Sequence, residues 1–286
     1  MRWRTDLLGA PFESARIGAG STLVRRLGGS ERAVLYLHGY NDYFFQTGLA
    51  EFFVAGGYDF YALDLPGHGR SAAEERPITS LRAYFPELQA ALDLLPADVL
   101  LVGQSTGALI GAWWAQEHPG RITRLIMISP NLVLPAAPWL RRLAERRPGL
   151  PLPIPLRPYN SRSLHRRYGG DWQFVEVWRR TRWRLPKIGW VVAVNDAQRA
   201  LTGPTVPTLV LHSDRSSRRR RDLHAADAVL DVTAMRARAR RLGPQVATIA
   251  IRGARHDILL SSPSVRGAAY DEITAWLAAT AGHTRR

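Results

Sequence analysis

Ala33–Leu37 is an uninterrupted apolar run that stops at His38-Gly39, and Asp59–Leu63 ends in Asp64-Leu65-Pro66-Gly67-His68-Gly69-Arg70-Ser71. Val99–Val102, Leu125–Ser129, Thr208–His212 and Val246–Ile251 repeat the pattern. A strand wetted on one face alternates apolar and polar positions, whereas a strand covered on both faces is apolar throughout. These runs therefore predict buried, parallel strands. Between them the apolar spacing lengthens to helical periodicity. Helices are predicted over Thr47–Ala55, closed by Gly56-Gly57, over Ser80–Leu95 with Leu81, Phe85, Leu88, Leu92 and Leu95 on one face, and over Ala108–Glu117, ended by Pro119-Gly120. Pro86 marks a kink in the second of these or a late start. Further helices are expected near Thr233–Leu242 and Ser264–Ala279. Strands alternating with helices imply an α/β fold built on a mostly parallel, doubly wound sheet.

The rhythm breaks after Pro130. Residues 135–158 read as proline-rich loops with arginine pairs, and from Trp172 to Trp190 aromatic side chains alternate with Arg179, Arg180, Arg182, Arg184 and Lys187. Strand and helix signals resume at Thr208. Residues 132–203 are accordingly read as an insertion, carried by a core made of 1–131 and 204–286.

Composition narrows the chemistry. The 286 residues contain no cysteine, which excludes a disulfide scaffold, a thiolate nucleophile and a cysteine metal site. The basic start, Met1–Asp6, leads into only Leu7–Pro11, too short an apolar run for a signal peptide. No stretch approaches the roughly 18 to 20 apolar residues of a spanning helix. A cytoplasmic protein is expected. The formal net charge is +15, and apart from Lys187 every lysine-or-arginine position is arginine. Arginine suits phosphate and carboxylate recognition, but one-sided use of arginine also follows from coding bias, so nucleic acid is not expected as a partner from charge alone.

Gly103-Gln104-Ser105-Thr106-Gly107 joins a buried strand to a helix, which is where a G-x-S-x-G elbow presents a nucleophilic serine. Ser105 then stands at the carboxyl edge of the sheet, over a helix N-terminus that favours an oxyanion. A serine hydroxyl needs a base, and the base needs a carboxylate to hold its tautomer. His256, on the loop after Val246–Ile251, is placed for the base. The acid is open between two candidates. Asp214 comes soonest after Thr208–His212, whereas Asp227 precedes the helix at Thr233 and leaves 29 residues to His256, enough for one helix and one strand. Asp227 is favoured, with 213–225 read as a basic surface excursion. Two N–H donors must hold the oxyanion. The Thr106 amide supplies one, and the loop His38-Gly39-Tyr40 supplies the other, through Tyr40.

The His38-Gly39 loop, the 64–71 stretch, the elbow, and Asp227 with His256 resemble the α/β-hydrolase superfamily, in its branch of monoacylglycerol lipases, lysophospholipases and serine aminopeptidases. The resemblance spans roughly 20–131 and 204–280. It implies the α/β-hydrolase fold with an inserted helical cap, and an acyl-enzyme mechanism needing no metal or cofactor. Gln104 departs from it, standing where relatives often carry His, as does the long acid loop. In such a family the cap selects the substrate. Residues 135–200 hold 14 basic against 4 acidic side chains. His38, Gly39, Trp172, Trp178 and Trp183 are expected to line the substrate site, with Trp139 and Trp190 as further candidates and arginines facing an anionic head group or membrane surface. The tryptophans serve equally well as anchors of the cap. The expected substrate is a small-molecule ester of the monoacylglycerol or lysophospholipid kind. An aminopeptidase or amidase is the alternative within the fold, weakened because the cap offers only Glu145, Asp171, Glu176 and Asp196 to bind an amine. A non-catalytic polyanion- or membrane-binding protein is the alternative outside it.

Overall fold

The computed structural model describes residues 1–75, 77–134, 138–152, 159–181 and 185–283. Nine strands form one sheet: β1 (Arg4–Thr5), β2 (Glu13–Ile17), β3 (Ser21–Arg26), β4 (Arg32–Leu37), β5 (Asp59–Asp64), β6 (Asp98–Gln104), β7 (Arg124–Ile128), β8 (Thr208–Ser213) and β9 (Val246–Ile251). The order across the sheet is β1-β2-β3-β5-β4-β6-β7-β8-β9. The β1–β2, β2–β3 and β3–β5 pairings are antiparallel, and every pairing from β5 to β9 is parallel.

The helices are α1 (Thr47–Ala55), α2 (Phe85–Leu92), α3 (Thr106–Glu117), α4 (Pro138–Arg146), α5 (Tyr159–Leu164), α6 (Ile188–Ala200), α7 (Val232–Ala239) and α8 (Pro263–Ala279). The helix expected over Ser80–Leu95 begins late. Leu81–Tyr84 is a 3₁₀ turn, and α2 starts at Phe85 with Pro86 in its first turn, where the missing N–H costs no bond. The stretch 135–158 is not all loop, because Pro138 opens α4 in the same way.

Both faces of the sheet are covered over its middle strands, β4 to β8, which explains the uninterrupted apolar runs there, whereas the edge strand β9 keeps exposed positions. Leu35 and Leu37 of β4 pack with Leu101, Leu109, Trp113 and Trp114 on one side. Val34 and Tyr36 pack with Phe53, Phe60, Leu100 and Ile273 on the other. Helix α6 lies on the first side and packs against α3, with Trp190 through Val194 buried. A smaller cluster of Tyr43, Phe45, Leu164, Phe174 and Leu260 joins the 159–181 segment to the core.

The order β5-β4-β6 makes β4 a switch point, since the chain leaves it toward one side and later returns on the other. Ligand crevices form at the carboxyl ends of strands at such points. Pairing of Leu37 with Gly103 sets the loops after β4 and β6 side by side there.

Candidate active site

Ser105 has φ 53° and ψ −113°, a region a side-chain-bearing residue enters only when its surroundings force it. Its N–H donates to the Ile128 carbonyl at 2.9 Å, and its own carbonyl accepts from Asn131 at 3.1 Å and Leu109 at 3.3 Å. Gly107 lets the elbow close: a Cβ there would lie 2.4 Å from the carbonyl oxygens of Leu37 and His38. Gly39 lies against the elbow from the other loop, its would-be Cβ 3.2 Å from Ser105 Cβ.

His256 Nδ1 and Asp227 Oδ2 are 2.9 Å apart, with both side chains buried. The other Asp227 oxygen accepts from the amides of Val229 and Leu230 at 2.7 and 2.8 Å, which fixes the carboxylate. Burial opposes a charge on His256, but the Asp227 carboxylate, its hydrogen bond and the Asp257 charge outweigh it and raise the imidazole pKa above 6.5. Asp214 does not reach the histidine and instead accepts from the Gly253 amide at 3.0 Å. The reason is the route of the chain after β8. The Asp227 amide donates to the Arg215 carbonyl at 3.0 Å and the Asp227 carbonyl accepts from Ser217 at 2.9 Å, so the excursion returns the later aspartate to the strand end.

Thr106 is the first residue of α3, so its amide has no intrahelical partner. His38 is buried, with one ring nitrogen engaged in its own loop and the other on the loop after β5. Nε2 accepts from the Leu65 amide at 3.1 Å, which leaves the proton on Nδ1 to donate to the Gly39 carbonyl at 2.8 Å. In a planar trans peptide the C=O and the next N–H point oppositely, so this bond turns the Tyr40 amide away from His38. Tyr40 packs against Trp190 of α6, ring centroids 4.1 Å apart and planes tilted by 38°. Ser105 Oγ forms no hydrogen bond among the described residues; catalytic hydrogen bonds commonly tighten only when substrate is bound.

Of three further supports of the site, Ser213 had no signal in the sequence, Gln104 stood out only as a departure, and the 64–71 stretch only as a mark of resemblance. Gln104 Nε2 donates to the His256 carbonyl at 3.2 Å, linking the elbow to the loop after β9. Ser213 Oγ donates to the Ala254 carbonyl at 2.6 Å. Arg70 pairs with Asp64 at 2.8 Å and Asp6 at 2.6 Å, and Asp64 accepts from the Phe44 amide, so the 64–71 stretch braces the loop after β4.

The tryptophans divide. Trp172 donates to the Leu260 carbonyl at 3.0 Å and meets Phe45 edge-on, while Trp178 meets Tyr43 edge-on at 5.2 Å. Both therefore tie the 159–181 segment to the loops that carry Tyr43, Phe45 and Leu260. Trp139 is 62% exposed, and Trp183 lies outside the described residues. Among the described residues no group of His, Cys, Asp and Glu is arranged to hold a metal ion.

A mostly parallel sheet, a strained serine elbow after its central strands, and a histidine–carboxylate pair on the loops after the last two strands define an α/β-hydrolase. The chain belongs to the family described as serine aminopeptidase, S33, whose model matches residues 28–263. It is 27% identical over 240 residues to human monoglyceride lipase, covering 78% of this chain and 75% of that protein. An esterase of Mycobacterium tuberculosis is 34% identical over 136 residues, 46% of this chain and 43% of the relative. The monoacylglycerol lipase of Paleococcus ferrophilus superposes with a TM-score of 0.70 at 22% identity, over 94% of this chain and 100% of that one. The protein is an esterase/lipase-like hydrolase of the monoacylglycerol lipase branch. No helix among the described residues is long and apolar enough to cross a membrane.

Proposed function

We propose that the chain is a serine hydrolase that cleaves small carboxylic esters through an acyl-enzyme on Ser105. The observation that carries this reading is the buried His256–Asp227 bond, on a loop tied to the strained Ser105 elbow by the neighbouring Gln104. With Nδ1–H donated to Asp227, the lone pair of Nε2 is left to take the Ser105 proton as Oγ attacks the ester carbonyl. The amides of Thr106 and Tyr40 hold the oxyanion. Collapse of the tetrahedral adduct breaks the ester C–O bond, and His256 passes its proton to the departing alkoxide. Water then gives a proton to His256 while its oxygen attacks the acyl carbon, releasing the acid and restoring the Ser105 hydroxyl.

Monoacylglycerol- and lysophospholipid-like esters are the proposed substrates, supported by the names of the relatives and by the aromatic side chains of 132–203, which we read as a cap. Two of the cap's four acids are already engaged: Asp196 pairs with Arg141, and Glu176 accepts from Thr181, Arg167 and Tyr168. That leaves little to bind a substrate amine and favours ester over amide. Contact with an anionic membrane surface is supported by α4, where Trp139 is exposed beside exposed Arg142 and Arg146.

Labelling with a fluorophosphonate, followed by peptide mapping, tests the nucleophile. Adduct on Ser105, lost in Ser105→Ala, is expected, together with turnover of p-nitrophenyl esters and little turnover of aminoacyl-nitroanilides. Turnover of the anilides alone would overturn the ester reading.

A further inference from the structure

Arg179 is one of many arginines in the insertion, yet it is only 3% exposed. Its guanidinium lies against the adjoining rings of Phe45 and Phe174, 5.6 Å from each centroid. One terminal nitrogen donates to Asp42 Oδ1 at 2.6 Å and the other meets Asp257 Oδ2 at 3.0 Å. Both carboxylates are buried. Asp42 lies two residues beyond Tyr40 on the loop after β4, and Asp257 directly follows His256. The same cap segment grips the first loop a second time: the Arg180 amide donates to Asn41 Oδ1 at 3.1 Å, and Asn41 Nδ2 donates to the Arg180 carbonyl at 3.2 Å. Asn160 of α5 donates to the same Asp257 oxygen that meets Arg179.

Adhesion alone does not require this arrangement. The cap already has an apolar seam in Tyr43, Phe45, Leu164, Phe174 and Leu260, and taking three charged groups out of water is costly unless their geometry is fixed. A guanidinium is a rigid planar fork, so two carboxylates bound to its two ends are held at a set separation. Burial alone would push the Asp257 carboxyl up, but Arg179, His256 and Asn160 hold it down to about 2, so its charge persists at neutral pH.

We propose that Arg179 is a positioning residue that holds the oxyanion loop, through Asp42, and the base loop, through Asp257, at the spacing the reaction needs, so that the catalytic site is complete only when this part of the cap is seated. The inference rests on the Ser105 reading above. It differs from a purely structural role in its kinetic signature. A substrate with a short acyl chain needs little from the cap, so loss of the clamp lowers the chemical step and leaves binding nearly unchanged.

The test compares wild type, Arg179→Lys and the triple variant Asp42→Asn, Arg179→Met, Asp257→Asn. Lysine keeps the charge but lacks the fork, and the triple variant removes all three charges of the clamp together. Thermal unfolding of each is recorded first, and kinetics are measured well below the transitions. With p-nitrophenyl acetate, kcat and the rate of fluorophosphonate labelling at Ser105 are expected to fall by between tenfold and about 10²-fold in both variants, the scale of a misplacement near 1 Å, with KM within about twofold. Wild-type rates in both variants would overturn the inference and leave the serine reading standing. Wild-type protein that takes no label at Ser105 would overturn the serine reading, and the inference with it.

Discussion

The carboxylate of Asp227 lies 2.9 Å from Nδ1 of His256 and is itself held by two backbone amides. Asp214, thirteen residues earlier in the chain, spends its side chain on the Gly253 amide instead. Replacing Asp227 by Asn leaves the shape but removes the acceptor that fixes the histidine tautomer. Ester turnover is expected to fall about 10⁴-fold, whereas Asp214→Asn should stay within a few-fold of wild type. Steady-state kinetics of the two variants on one p-nitrophenyl ester decide the matter.

The raised pKa of His256 has a definite sign. In the proposed mechanism the neutral imidazole is the base, so kcat/KM of the free enzyme should rise with pH through an apparent pKa above 6.5. Because the folded value exceeds the unfolded one, the stabilisation that protonation gives is complete below 6.5 and is lost as pH rises through the folded value. The pH–rate profile checks the first statement and thermal unfolding across the same interval checks the second. An acid limb centred below 6.5 would contradict both.

Gly107 cannot carry a side chain without moving backbone. Gly107→Ala should destabilise the fold by at least about 1–3 kcal/mol, because the added carbon meets two carbonyl oxygens rather than a yielding side chain. Urea unfolding should show a lower midpoint with an unchanged slope.

Arg179→Met strands the buried carboxylates of Asp42 and Asp257. A loss of about 3–5 kcal/mol is expected at neutral pH. The depressed pKa of Asp257 means that its contribution is present above 3.8 and disappears as pH falls toward about 2. The gap between wild type and variant in chemical denaturation should therefore narrow in strong acid.

Trp139 is offered to solvent on a helix rich in arginine. Trp139→Ala should weaken partition onto vesicles of anionic phospholipid by roughly tenfold, from lost apolar burial, and leave hydrolysis of a soluble ester unchanged. Sedimentation with the vesicles measures the first, and a p-nitrophenyl assay the second.

What the residue pattern disclosed follows from what is local. The parallel strands are visible because both faces of the sheet are covered, so β4, β6 and β7 read as unbroken apolar runs. Ser105 and His256 are legible because each sits on a short loop at a strand end. The antiparallel edge, β1 to β3, is hidden: Glu13–Ile17 carries charges on a strand wetted along one side and shows no such run. Arg179 is hidden for a different reason. Nothing adjacent in the chain separates it from the solvated arginines around it, since its partners Asp42 and Asp257 are distant in sequence and only the folded cap brings them together. Gln104 was conspicuous as a departure, but its bond to the His256 carbonyl required the two loops to be placed.

The excursion between Arg215 and Asp227 leaves and rejoins the fold through a neck closed by two backbone hydrogen bonds. A segment that enters and exits at one point can change length without pulling on what it flanks. The arginine run from Arg218 to Arg221 is therefore open to insertion: a tag or a reporter peptide grafted there would hang from the neck while Asp227 kept its hold on the histidine.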